Sequence, residues 1–332
     1  MVHRLSLLTL MLTGCPGGDD DPESPVQWTA AVEADARGAF LMAWGPDGGD
    51  TWIVGGQPET GLVLRGTAGA LDEVPLPDGT PLLNWVHGTA ADDVWVGGLN
   101  GTLLHWDGAA WSDQSEPVEG AFWGIHARSP SEVWAVGGAS AWGGDTAMAY
   151  RRDGDSWVAL EIPTELEGLG NLFKAHHNGQ EWWACGFAGA VVKSADGQTL
   201  TAVPTGSTQD IVTVHSLPDE PPLFVGGRGT GAVFEVSGDS VTRTAQAPAG
   251  LSGVHVIDAT TALVAGEGGY AGLYNPVDDT LQEAPVPSDD VLHGAFVSSD
   301  GTLWVVGGNL YTASDTYSGS IWTGTIDQEA RK

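Results

Sequence analysis

Short apolar runs recur along this chain, and the most regular of them end in glycine or a glycine pair. They are Trp52-Ile53-Val54-Gly55-Gly56, Val94-Trp95-Val96-Gly97-Gly98, Val133-Trp134-Ala135-Val136-Gly137-Gly138, Trp182-Trp183-Ala184-Cys185-Gly186, Leu223-Phe224-Val225-Gly226-Gly227, Ala262-Leu263-Val264-Ala265-Gly266 and Leu303-Trp304-Val305-Val306-Gly307-Gly308. Runs of this length predict buried strands, and the glycines predict their stops. A repeat of about 40 residues holding several strands cannot bury its own apolar faces, so neighbouring units must cover one another in an array.

Each repeat divides further. An apolar run such as Leu82-Leu83-Asn84-Trp85-Val86-His87 or Ala121-Phe122-Trp123-Gly124-Ile125-His126 precedes the glycine-stopped strand, across a polar turn. A third strand follows, as in Thr102-Leu103-Leu104-His105-Trp106, then the turn Asp107-Gly108, then a fourth strand opening at Trp111. Connections this short exclude parallel crossovers and leave an antiparallel meander, the blade of a β-propeller. The landmarks Trp44, His87, His126, His176, His215, His255 and Phe296 on the first strands mark seven blades, 39 to 50 residues apart. The last blade has only three strands, ending in Ser320–Ile326. Residues Val26–Val32, with Trp28 standing before Phe40 as Trp111 stands before Phe122, supply the missing outer strand and close the ring. The expected fold is therefore all-β: a seven-bladed propeller over residues 26–327, with a short tail at 328–332. Closure removes exposed sheet edges.

The first residues add an address. Met1-Val2-His3-Arg4, the apolar run Leu5 to Leu12 and the sequence Leu12-Thr13-Gly14-Cys15 have the order of a signal peptide over residues 1–14, too short to span a membrane. Leu12–Cys15 resembles the bacterial lipobox, which implies that Cys15 is lipidated and anchors the protein. Residues 15–25, with Asp19-Asp20-Asp21, have no apolar residue after the cysteine and read as a solvated tether. The expected location is the cell envelope of a Gram-negative bacterium, at the outer membrane. Cys185 is then the one other cysteine, so no intramolecular disulfide forms, and its apolar neighbours make it a core filler.

Charge narrows the partners. With 43 acidic and 12 basic residues the formal net charge is −31, a field that repels phosphate backbones, so nucleic acid is excluded as a partner. The same field suits a soluble monomer. Five of the seven first-strand landmarks are histidine, and converging imidazoles are the usual metal ligands. Trp44 and Phe296 share their register, which assigns the set to packing with an interblade hydrogen bond, and no metal or other cofactor is expected. The acidic pairs Asp92-Asp93, Asp219-Glu220, Asp278-Asp279 and Asp289-Asp290 fall in turns, where carboxylates stay solvated. No Gly-x-Ser-x-Gly, His-Glu-x-x-His or calcium loop occurs, so no catalytic residue is assigned.

The turns Lys193-Ser194-Ala195-Asp196-Gly197-Gln198-Thr199, Trp106-Asp107-Gly108-Ala109-Ala110-Trp111 and Arg152-Asp153-Gly154-Asp155-Ser156-Trp157 resemble Asp-box (BNR) hairpins. Such hairpins occur in sialidase-type and photosystem II assembly-factor propellers. Together with the Val-Trp-Val-Gly-Gly strands they look most like the propeller-repeat lipoproteins of myxobacteria. Asp boxes are structural and imply no activity. The arginines of the expected mature chain ahead of the tail (Arg37, Arg65, Arg128, Arg151, Arg152, Arg228 and Arg243) fall in no sialidase triad, and seven blades replace that family's six.

Strand parity puts the second-to-third strand loops and the blade-to-blade connections on one face. Two of those loops are long, Ala139–Thr146 and Asn309–Gly319, and the connection Glu161–Gly170 lengthens the same face. Trp142, Asp145, Tyr311, Asp315 and Tyr317 are the partner-binding residues expected there. Two functions fit: a non-catalytic, lipid-anchored propeller that binds a protein or glycan as a scaffold or assembly factor, or a carbohydrate-active enzyme of sialidase or lyase type. An enzyme should gather ionisable groups with displaced pKa values at the channel mouth.

Overall fold

Seven sheets of four antiparallel strands stand around a central channel in this computed structural model, which describes residues 24–139, 146–310 and 316–327. Six sheets take their strands in chain order, from the channel outward. The seventh has Leu292–Val297, Leu303–Asn309 and Ser318–Ile326 from the end of the described chain, and its outer strand is Val26–Asp35. The N-terminal strand thus closes the ring, pairing Val26 with Ile326 and Trp28 with Gly324. A side chain at Gly324 would strike the Trp28 ring, at 2.7 Å. The indole N–H of Trp28 donates to the Ala284 carbonyl of blade six at 2.7 Å, tying the closing strand to a second blade.

The core lies between blades. Second-strand residues Trp52, Trp95, Trp134 and Trp304 are fully buried, as are Val54, Val96 and Val225. Cys185 belongs to the same layer, and burial pushes its thiol up to about 12, which keeps it an inert filler. Cys15, the signal segment and the tail at 328–332 lie outside the described residues.

The glycine stops have a steric cause. At Gly137 a Cβ would sit 1.9 Å from the carbonyl oxygen of Ala121, which leads into the first strand of the same blade. The equivalent glycines 55, 98, 186, 226, 266 and 307 meet the matching carbonyl at 1.9 to 2.6 Å. That carbonyl accepts the N–H just past the stop, as Leu82 does from Leu99 at 3.0 Å and Asp210 from Gly227 at 2.9 Å. The glycine lets the blade-to-blade connection press against the second strand. Gly137→Ala is expected to cost ~3 kcal/mol by forcing these backbones apart. Gly69→Ala, where nothing lies within 4 Å, should stay within about 0.5 kcal/mol. Denaturant unfolding of both variants checks the difference.

One turn departs from expectation. Asp93 of the pair Asp92-Asp93 is buried rather than solvated. Its carboxylate accepts from the Trp95 indole at 3.1 Å, contacts His105 Nε2 at 2.7 Å, and accepts from the Thr89 hydroxyl. Burial pushes the carboxyl up, but these three partners outweigh it and hold it below the usual range. The turn at Asp196 behaves as an exposed hairpin lock: its side chain accepts from the N–H groups of Gln198 and Thr199 at 2.8 and 2.7 Å.

Candidate functional site

Every first strand carries a β-bulge at the same place. Pairing with the second strand skips Leu41, Asn84, Trp123, Phe173, Val212, Ser252 and His293, one residue per blade. A bulge re-aims a side chain, and these seven together line one cavity of about 260 Å³. The rim is completed by Gly227 and Arg228, Glu267, and Val291. The first three belong to second-to-third strand loops and the last to a blade-to-blade connection, so the cavity opens on the face where the long loops leave. Loop 139–146 closes with the Ala139 N–H on the Thr146 carbonyl at 3.2 Å.

The next layer down holds Lys174, only 8% exposed. Its neighbour in blade three is Gly124, where a Cβ would fall 2.6 Å from the Lys174 Cα. The absent side chain lets the lysine cross to blades three and two. There Nζ donates to the Trp123 carbonyl at 2.5 Å and lies 3.9 Å from the centre of the Trp85 ring. Among the described residues no carboxylate pairs with it. Burial drives its ammonium down to about 7. Asn84 is 1% exposed; its amide N–H donates to the Phe122 carbonyl at 3.0 Å, and its Oδ1 has no partner among the described residues. The other charges are engaged. Arg228 pairs with Asp210 at 2.8 Å, and Glu267 accepts from the Gly229 and Gly250 N–H groups at 2.8 and 3.3 Å. His293 donates from Nε2 to the Gly308 carbonyl at 3.1 Å, and burial takes it down to about 4.

Deeper still, Trp44, His87, His126, His176, His215, His255 and Phe296 form a continuous ring lining a second cavity, which reaches the opposite face at Asp47 and Ser299. From Trp44 round to Phe296 successive ring centres are 3.9 to 5.4 Å apart, because the blades converge at the channel. His87 Nδ1 accepts from the Ala127 N–H at 3.1 Å, His176 Nε2 from Ser216 at 3.1 Å and His215 Nδ1 from Val256 at 3.0 Å. Each bond runs to the following blade and requires an unprotonated acceptor nitrogen. These are the interblade bonds expected from the repeat. Among the described residues no three His, Cys, Asp or Glu side chains are grouped as a metal would need.

Of the expected partner-binding residues, Trp142, Asp145, Tyr311 and Asp315 lie outside the described residues. Tyr317 is half-buried, its backbone clamped by the Gln57 side chain of blade one, whose Oε1 accepts from the Tyr317 N–H at 2.8 Å and whose Nε2 donates to its carbonyl at 2.7 Å. None of the remaining acidic pairs lines the cavity, although Asp290 stands next to the rim residue Val291, its carboxylate accepting from the Ser320 hydroxyl at 2.7 Å. Asp279 and Glu235 accept from the Tyr274 hydroxyl at 2.8 and 2.9 Å in the outer part of blades five and six. Burial raises that phenol's pKa, the reverse of a nucleophile's need.

Sequence reasoning missed the bulge ring, Asn84 and Lys174. The signal was present: each bulged residue stands three before its blade's landmark, as Trp123 does before His126. Strict alternation puts such a residue on the opposite side, and the bulge returns it.

The chain matches no protein-family model and none of the curated proteins. It is similar to solved propellers. YCF48 bound to a D1 peptide is 17% identical, with a TM-score of 0.65 over 92% of this chain and 98% of that one. A streptogramin B lyase structure is 13% identical, with a TM-score of 0.70 over 91% and 98%. The RRP9 WD40 repeats are 10% identical, with a TM-score of 0.69 over 90% and 97%. At these identities the likeness extends to the fold, and what this chain shares with them is the seven-bladed ring of four-stranded blades.

Proposed function

We propose that this protein is a non-catalytic binding propeller, held in the cell envelope by lipid on Cys15, that engages a protein or glycan over the channel mouth as a scaffold or assembly factor. The observation that carries the reading is the bulge ring. Seven structurally equivalent positions point into one cavity and hold seven different side chains, whereas the ring deeper in the channel repeats histidine five times. The deeper histidine ring, a structural layer, favours the repeated residue; a recognition surface favours variety, with aromatic anchors such as Trp123 and Phe173. YCF48 with its D1 peptide is a propeller of similar shape that holds a peptide.

A carbohydrate-active enzyme is the second reading, and one observation favours it: Lys174 and His293 at the mouth both have displaced pKa values. Both, however, are bases driven toward neutrality by burial, and neither makes a hydrogen bond or ion pair with a carboxylate among the described residues. The test is crosslinked capture from envelopes of the native host by wild type and by a Trp123→Glu/Phe173→Glu variant that remains folded. A partner held by wild type and reduced at least tenfold in the variant supports the reading. Equal capture of every partner would move the binding surface elsewhere.

A further inference from the structure

We infer that the channel-mouth cavity is a binding site for a small monocarboxylate bearing a hydrogen-bond donor, with Lys174 meeting the carboxylate and Asn84 Oδ1 accepting from the donor. This goes beyond the partner-binding reading, since a free molecule would occupy the site with no macromolecule present. The two residues have complementary deficits. Lys174 is a buried ammonium with one carbonyl and one aromatic face but no counter-ion, and a buried charge is stabilised by a paired anion. Asn84 has a buried acceptor with no donor, and such an atom carries a penalty until one arrives. Both line the same cavity, whose other walls include Trp123 and Phe173.

Charge count sets the class. Arg228 is already paired with Asp210, and the Glu267 carboxylate at the rim repels anions. One uncompensated cation therefore faces the ligand, which suits a carboxylate and disfavours a doubly charged phosphate. The cavity of about 260 Å³ lies just below the range for drug-sized ligands. It is the size for a sugar acid, whose hydroxyl would serve Asn84, or for an acylated amino acid, whose amide N–H would do so.

The full chain is titrated calorimetrically with D-galacturonate and with N-acetyl-L-alanine, each beside its neutral counterpart, D-galactose and N-acetyl-L-alaninamide. At least one acid should saturate the site and bind ten times more tightly than its neutral counterpart; which acid does so tells a sugar source from a peptide source. Lys174→Met should weaken that acid at least tenfold. Affinity in the wild type should also fall about tenfold from pH 6 to pH 8.5, as the ammonium, brought to about 7 by burial, loses its proton. The other titratable groups around it hold their state over that range: the Cys185 thiol is raised to about 12, His293 is lowered to about 4, and His126 and His176 are held well below neutral. Arg228 is held by Asp210, and Glu267 by the Gly229 and Gly250 N–H groups. Should Lys174→Met fail to fold, the wild-type pH profile decides. No saturation by either acid, equal affinity for acid and neutral forms, or a flat pH profile overturns the proposal.

Discussion

Lowering the pH from 7.5 to 5 is expected to remove a large part of the folding stability, through the histidine ring. In the unfolded chain these imidazoles take up protons near pH 6.5. In the ring, burial holds them neutral, aided by neighbouring imidazoles at all but His215: His87 is brought to about 3 and His215 to about 4, with His126, His176 and His255 also well below their ordinary value. His177 and His293, each at about 4, act in the same direction. A depressed native pKa means stability that is fully present above pH 6.5 and is lost as the pH falls toward the native values. Five such groups would give a slope of up to ~7 kcal/mol per pH unit. His87, His215 and His255 are only half-buried by area, so channel water reaches their edges. About half that slope is the better expectation. Against a total of roughly 5–15 kcal/mol, unfolding should be centred between about pH 4 and 5.

The carboxylates act in a separate window. Asp35, held low mainly by its hydrogen bond from Arg37, and Asp300, held low by Ser298 and Thr302, lose their contributions only below pH 3.8. The discriminating variant is His126→Phe/His255→Phe. Phenylalanine already occupies this register at Phe296, and neither histidine accepts one of the interblade N–H bonds described above. At pH 7.5 the variant should lie within about 1 kcal/mol of wild type, yet its acid midpoint should fall by roughly half a pH unit. Guanidinium unfolding at intervals from pH 7.5 to 4 reads both quantities. Equal stability at pH 7.5 and 5 in the wild type would show that protonated imidazoles are accommodated in the channel, and the ring's role as a set of neutral clips would be lost.

The histidine ring and the glycine stops were legible in the sequence because the repeats show histidine at five of the seven landmarks and glycine at all seven stops, each with a physical reason to be there. The imidazoles of His87, His176 and His215 span to the next blade, and glycine makes room for a carbonyl. The bulge ring was hidden for the opposite reason. Its seven residues have no common chemistry, and a strand read by strict alternation turns Trp123 away from the side that His126 faces. Lys174 could have been flagged as one of only three lysines, set in the apolar run Leu172–His177. Its surroundings could not: Trp85 and Trp123 come from blades two and three, and only the convergence of first strands at the channel brings them together. Asp93 was misread as a solvated turn residue because its partner His105 lies on the third strand of its blade, a pairing that depends on register.

Ring closure predicts the other large effect. A chain beginning at Gly38, compared with one beginning at Ser24, lacks the strand that completes blade seven. It loses the buried Val26, the Trp28 contact to Ala284, and the ladder to Ser318–Ile326. The apolar burial and hydrogen bonds together suggest a cost of roughly 5–10 kcal/mol, and a fall in Tm of about 10–20 °C. The shorter chain should also associate, because Ser318–Ile326, which carries the apolar Ile321 and Trp322, becomes an open edge, and an open edge pairs with other chains. A synthetic peptide of residues 24–37 supplied in excess should restore a monomeric, more stable protein by occupying that edge. Light scattering and thermal melts with and without the peptide measure both effects. If the shorter chain stayed monomeric with an unchanged Tm, blade seven would be complete with three strands and closure would rest on side-chain packing alone. The peptide separates edge pairing from mere loss of apolar surface: a Trp28→Ala peptide should still cap the edge but bind more weakly, because the ladder survives while the tie to blade six is gone.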